Sequence, residues 1–332
     1  MSSNGGFEER VRAHLAARAP SAKVHAVRKI GGGASRETWL VELDPSDSGL
    51  PDSVLVRKDT PFEGVVPTTL RREHDVLVAL AAAGIRVPRP LWYGDDTDVL
   101  GAEFYVRTGY EGTSDQRRFS GESAERLSRE LATALAELHQ LDPRETALPD
   151  GPAPTSITEA TQGDVERWYG HWQATALEPM PLLEEVSWWL RRHVPEVEQA
   201  PVIVWGDVGI ANTICSSDGQ VLALSDWELA AYGDPMRDLA SGLWRGVGRL
   251  AGKEAFLTAY EEAGGYPVDH ERLRYFDVLM SWLVAIFTHG AAREGKQAGE
   301  RSLHPPLLSI WAQRVNLEKA AHRIGLLAGD RE

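Results

Sequence analysis

Two short apolar runs constrain this chain most: Val202–Trp205 (VIVW) and Val221–Leu224 (VLAL), each followed closely by an aspartate, Asp207 and Asp226. Runs this short, bounded by Gly, Ser and Asp, read as buried strands rather than helices. Paired as a hairpin, they would bring Asn212, at the end of WGDVGIAN, together with Asp226 at the end of LSD. The fold must therefore place a small polar hairpin inside a sequence that is otherwise helical on both sides.

The periodicity changes once along the chain. Phe7, Val11 and Leu15 give a short N-terminal helix over 7–18. Strands are then expected at Val24–Ile30, Thr38–Leu43, Val54–Arg57, Pro90–Tyr93 and Glu103–Thr108, with one helix inserted at Thr68–Ala83. From Ser123 the spacing is helical: Leu127, Leu131, Leu135 and Leu138 recur on one face. Further helices are expected at 156–176 and 180–194 and from Pro235 onward, with breaks near Gly264–Pro267 and His304–Pro306. The expectation is an α+β chain with a small sheet lobe over 1–108, a connector near 107–113, and a mainly helical lobe over 109–332.

The chain has 332 residues, 42% hydrophobic and 25% charged, with a formal net charge of -14. That length supports a large core, and the charge argues against non-specific nucleic-acid binding and docking on anionic lipid. Cys215 is the only cysteine, which excludes an intrachain disulfide and fits a reducing compartment. The first residues mix charge with apolar side chains, so no signal peptide is expected, nor is a membrane span. A soluble cytoplasmic protein is the default expectation; the oligomeric state is not readable.

Asp207 and Asn212 stand with four residues between them. A carboxylate able to take a hydroxyl proton, followed at that interval by an amide oxygen for a cation, is the layout of a phosphoryl-transfer loop. Taken alone, it is equally the layout of a turn after a strand. Asp226 supplies a second carboxylate for a metal, and two groups at the ends of one hairpin weaken the turn reading. In GDPMRDLA, Asp234 before Pro235 fits a helix N-cap, and Asp238 a turn later could bond the loop backbone as support.

WGDVGIAN, LSDWE and GDPMRDLA, in this order and spacing, resemble the aminoglycoside phosphotransferase family of kinase-like enzymes. They are most similar to the branch that includes the kinase-like domains fused to some acyl-CoA dehydrogenases. The resemblance implies a two-lobed protein-kinase-like fold that uses ATP or GTP and Mg²⁺ to phosphorylate a small-molecule hydroxyl. It implies Asp207 as the catalytic carboxylate and Asn212 and Asp226 as metal ligands. Gly31, Gly32, Gly33 and Ser35 are similar to its phosphate-covering loop. Arg57 stands where the family has its phosphate-binding cation, with Lys58 as the rival, and Glu73 resembles the carboxylate that braces it. FYVRTGYEG resembles the hinge, with backbone near Arg107 and Gly109 facing the base. Strand alternation places Leu55 and Arg57 on one face, and Val56 and Lys58 on the other.

One position departs from the pattern. Trp205 stands where the family usually has a histidine that braces the loop; an indole packs and donates but cannot accept a hydrogen bond. This keeps open a second reading, a nucleotide-binding pseudokinase or scaffold without phosphotransfer. The acceptor is expected over Asp207, among aromatic side chains drawn from Trp168, Tyr169, Trp172, Trp188, Trp189, Trp244, Trp282, Phe287 and His289, most of which would be core. The bias leans toward a partly apolar hydroxyl compound or a hydroxyacyl thioester over a polycationic aminoglycoside.

Overall fold

The computed structural model describes the backbone of residues 3–30, 36–44, 49–60, 66–176, 178–297 and 304–327. Gly31, Gly32, Gly33 and Ser35 lie outside the described residues.

Helix α1 (Ser3–Arg18) precedes strands β1 (Val24–Ile30), β2 (Glu37–Leu43) and β3 (Ser53–Lys58). Helix α2 (Leu70–Ala82), β4 (Pro90–Gly94), the single turn α3 (Thr97–Leu100) and β5 (Phe104–Thr108) follow. The five strands form one antiparallel sheet in the order β1-β2-β3-β5-β4. Alternation divides its side chains between two faces. Trp39, Val41, Val54, Val56, Phe104 and Val106 pack with Phe7, Val11 and Leu15 of α1. Leu55 and Arg57 point the other way, opposite Arg107 and Tyr105 on the neighbouring strand. There Tyr105 shares a core with Leu70, Val76, Leu77 and Leu80 of α2. The helix starts at Thr69, whose hydroxyl accepts from the Arg72 amide at 3.1 Å.

The rest is mainly helical: α4 (Glu122–His139), α5 (Ile157–Thr175), α6 (Pro181–Arg192), α7 (Pro235–Trp244), α8 (Gly248–Ala251), α9 (Lys253–Glu262), α10 (His270–Gln297) and α11 (His304–Arg323). Between α6 and α7 lie four short strands, β6 (Val202–Val204), β7 (Thr213–Cys215), β8 (Val221–Leu224) and β9 (Ala231–Gly233).

These strands correct one expectation. Val202–Val204 does not pair with Val221–Leu224: β6 pairs with β9, and the hairpin is β7–β8, with Thr213 opposite Leu224. The sequence hid this because three residues are too few to show a period of two. The hairpin nevertheless joins Asn212 to the Asp226 strand end, since the Ser225 amide and hydroxyl both donate to the Asn212 carbonyl, at 2.8 and 2.9 Å.

Candidate active site

The sheet contributes a buried cation. Arg57 Nε lies 3.2 Å from Glu73 Oε1, and its Nη2 lies 3.3 Å from Asp226 Oδ1 and 3.9 Å from Glu228 Oε2. The Tyr105 hydroxyl also donates to Glu73 Oε1, at 2.7 Å. Burial acts against the guanidinium charge, but Glu73 and the other carboxylates hold the Arg57 pKa above its ordinary value. Lys58 lies on the opposite face, 3.1 Å from Glu37 and over the Phe7 ring. Strand parity therefore puts Arg57, not Lys58, on the side of Asp226.

The amides of Thr108 and Gly109 donate to the carbonyls of Arg89 and Ser53, both at 2.9 Å, so neither is offered outward. Arg107 is a buried β5 side chain whose charge is disfavoured by burial and by Arg57 nearby. A cavity of about 700 Å³ does open here, on the Arg57 face of the sheet, against Leu40, Ser53 and Gly109–Gly112. Gly109, Tyr110, Glu111 and Gly112 form one side of it, and Arg107 is not in its lining.

The loop after β6 is built by buried bonds. Gly206 has φ +83, and a Cβ there would lie 2.4 Å from the Leu229 carbonyl oxygen. Asp238, wholly buried on α7, accepts from the Trp205 and Gly206 amides, each at 2.7 Å. His139 Nε2 lies 3.1 Å from the same carboxylate, and its Nδ1 lies 2.8 Å from the Tyr260 hydroxyl. The expected support from Asp238 is present, and Asp234 caps α7 through the Met236 amide at 2.9 Å. Trp205 donates its indole N–H to the carbonyls of Ser225 and Asp226, at 3.1 and 3.0 Å, and stacks on Trp227 with centroids 5.5 Å apart.

Asp207 emerges from this brace. Asn212 Nδ2 donates to its Oδ2 at 2.6 Å and to its carbonyl at 2.9 Å, which leaves Asn212 Oδ1 as the atom for a cation. Burial raises the Asp207 pKa and the Asp226 charge adds to it, while Arg245 and Asn212 draw it back. Arg245 is a site residue that sequence reasoning missed: its Nη2 bonds Asp207 Oδ1. No local pattern marks it, because it follows α7 in an unrelated stretch, GLWRGVG.

Of the aromatic candidates, Trp168, Trp172 and Trp282 belong to the core. Trp189 lines a separate cavity with His193 and Tyr275, and Trp188 and Tyr169 lie beside another, neither including any residue of the Asp207 loop. Trp244 lines a cavity with Gly209, Ile210 and Ala211 of that loop. Among the described residues, no group of three or more His, Cys, Asp and Glu side chains is placed to hold a metal ion, and no helix is long and apolar enough to cross a membrane.

A five-stranded sheet carrying an arginine–glutamate pair, set against a helical half that presents an Asp–Asn loop and a second aspartate, is the two-lobed architecture of kinase-like phosphotransferases. Residues 26–276 match the model of the phosphotransferase enzyme family, and the chain belongs to that family. It is 33% identical over 226 residues to acyl-CoA dehydrogenase family member 11 of Gallus gallus and 32% identical over 227 residues to that of Homo sapiens. Those matches cover 65% and 63% of this chain but only 27% and 28% of the relatives, so the chain spans little more than a quarter of their length. Solved structures share the fold. They include the choline kinase LicA from Streptococcus pneumoniae (TM-score 0.64, 15% identity, 96% of this chain and 99% of that one). The macrolide 2'-phosphotransferase MphH from Brachybacterium faecium gives a TM-score of 0.59 at 19% identity, covering 96% and 98%. The GDP and kanamycin complex of APH(2")-IIia gives 0.63 at 14%, covering 97% and 100%.

Proposed function

We propose that this chain moves the γ-phosphoryl group of ATP or GTP to a hydroxyl of a small molecule in a Mg²⁺-dependent reaction. The observation that carries this is the chain of contacts that links Asp207 to Asn212, Asn212 to the Asp226 strand end, and Asp226 to the buried Arg57–Glu73 pair.

Asp207 orients the acceptor hydroxyl and takes its proton as the oxygen attacks the γ-phosphorus and the bond to the departing nucleoside diphosphate breaks. A raised pKa suits a carboxylate that must accept a proton. Asn212 Oδ1 and the Asp226 carboxylate would hold Mg²⁺, and two hard oxygen donors fit an ion that keeps waters and shares phosphates. The bound metal would neutralise charge on the transferred group. Arg57, braced by Glu73, lies on the phosphates, and the 31–35 loop, on its sequence, covers them. The cavity at 109–112 takes the base, and the GDP bound by a fold neighbour keeps GTP beside ATP. On this reading residues 1–108 form the nucleotide lobe and 109–332 the catalytic and acceptor lobe, acting on small molecules in the cytoplasm rather than on nucleic acid or membrane.

The bonding of Trp205 supports this reading over a pseudokinase, since the indole ties the proton-acceptor loop to the metal-ligand loop. The test is a screen of hydroxyl compounds, from aminoglycosides to hydroxyacyl thioesters, with Mg–ATP and Mg–GTP. A product heavier by about 80 Da, the mass of one transferred phosphoryl group, is expected. Nucleotide binding without turnover on any acceptor would favour the scaffold instead.

A further inference from the structure

A cavity of about 460 Å³ adjoins the Asp207 loop, walled by Gly209–Ala211 on one side, Ser114–Gln116 on another, and Trp244, Arg245 and Arg249 on a third. Its charge is lopsided. Arg245 bonds Asp207, and Arg249 has no carboxylate within ion-pair distance among the described residues. The one carboxylate of the wall, Asp115, is already held by Arg117 through Nε and Nη2, both at 2.9 Å. The wall is shaped for Arg245: its Cδ would lie only 2.7 Å from a Cβ at Gly209, so the bare glycine lets the arginine stem cross the loop to reach Asp207. Arg249 folds back on Gly246, another residue without a side chain, with its Nε 3.6 Å from where a Cβ would stand.

Both oxygens of Asp207 are thus engaged, Oδ2 by Asn212 and Oδ1 by Arg245. A hydroxyl that approaches Asp207 meets a guanidinium. An acceptor bearing its own anion would draw Arg245 away from Asp207 and free Oδ1 for the hydroxyl proton. A polycation would meet two guanidiniums instead.

We propose that the acceptor is a hydroxyl compound carrying a carboxylate or phosphate group, received by Arg245 and Arg249 beside Asp207. The proposal rests on the phosphotransferase reading above and names the substrate class of that same site. Arginine suits either anion, because its planar fork matches two oxygens at once.

The test uses the whole chain saturated with Mg–ADP, so that added anions cannot occupy the nucleotide site. Glycerate and glycerol 3-phosphate are titrated against glycerol, choline and kanamycin, with thermal shift as the readout. The acids are expected to stabilise the protein, with glycerol, choline and kanamycin far weaker, and the stronger of the two acids identifies the anion as carboxylate or phosphate. Arg249→Gln should weaken acid binding about tenfold, the scale of a lost charge-assisted hydrogen bond. Gly209→Ala, which crowds Arg245 without removing charge, should weaken it by a smaller factor. Stronger binding of choline or kanamycin, no response to any acid, or undiminished acid binding in an R245Q/R249Q double variant would overturn the proposal. Failure of Mg–ADP itself to bind would overturn the phosphotransferase reading instead.

Discussion

The indole N–H of Trp205 lies 3.0 Å from the backbone carbonyl of Asp226. Asp226 has φ 63, a left-handed conformation that few residues other than glycine adopt without cost. The loop bearing the proposed base therefore helps hold the proposed metal ligand in a strained backbone. Trp205, which departs from the expected histidine in the sequence, is in three dimensions a tie between the two loops.

Trp205→Phe keeps an aromatic ring but deletes this donor and leaves two part-buried carbonyls short of a partner. It should lower stability by about 1–3 kcal/mol, combining a lost hydrogen bond with a reduced side chain. Urea unfolding measures that loss. The Mg²⁺ concentration needed for half-maximal nucleotide binding should also rise, because Asp226 loses its anchor. An unchanged Mg²⁺ requirement would show that the tie is merely packing.

Asp207→Asn should reduce kcat by about 10²–10⁴, the usual scale for a positioned proton acceptor, with little change in nucleotide affinity. Since burial raises the Asp207 pKa, the wild-type rate should fall on the acid side at a pH above the ordinary carboxylate value of 3.8. The sign for stability is the reverse of the usual carboxylate case. The folded state holds this proton more tightly than the unfolded chain, so the Asp207 contribution is fully present below the unfolded pKa and is lost as pH rises through the folded one. A pH–rate profile with its acid limb at or below the ordinary carboxylate range would remove Asp207 from the role of base.

Asp226→Ala should abolish Mg²⁺-dependent nucleotide binding, whereas Glu73→Gln should only weaken it. The glutamine keeps the shape of Glu73 but removes the charge opposite Arg57, leaving Asp226 as the nearest remaining carboxylate at 3.3 Å. Nucleotide affinity should fall about tenfold, and calorimetric titration with and without Mg²⁺ separates the two variants. Equal losses in both would mean that Glu73 contacts the metal rather than bracing the cation.

Cys215 is buried in β7, and burial, with Glu130 nearby, pushes its thiol up to about 12. Only the thiolate reacts readily, so iodoacetamide at neutral pH should leave the folded chain unmodified and label it promptly in denaturant. Labelling of the native chain at the rate of a free thiol would show that the β7–β8 hairpin opens.

The sequence by itself determined a great deal here. A period of two and a period of 3.6 are carried by adjacent residues, so the five strands of the sheet, α2 and α4 were legible, whereas β7 and β9 were too short to be. Strand parity also separated Arg57 from Lys58, and the fixed interval between Asp207 and Asn212 is short enough for the two side chains to bond. Tertiary structure decided what depends on chain closure. It paired β6 with β9, spent the Gly109 amide on Ser53, sent Trp168 and Trp282 into the core, and laid Arg245 on Asp207 from another element. Local periodicity fixes which way a side chain points from its own element, but which distant group it meets is set only when the packed elements close over one core.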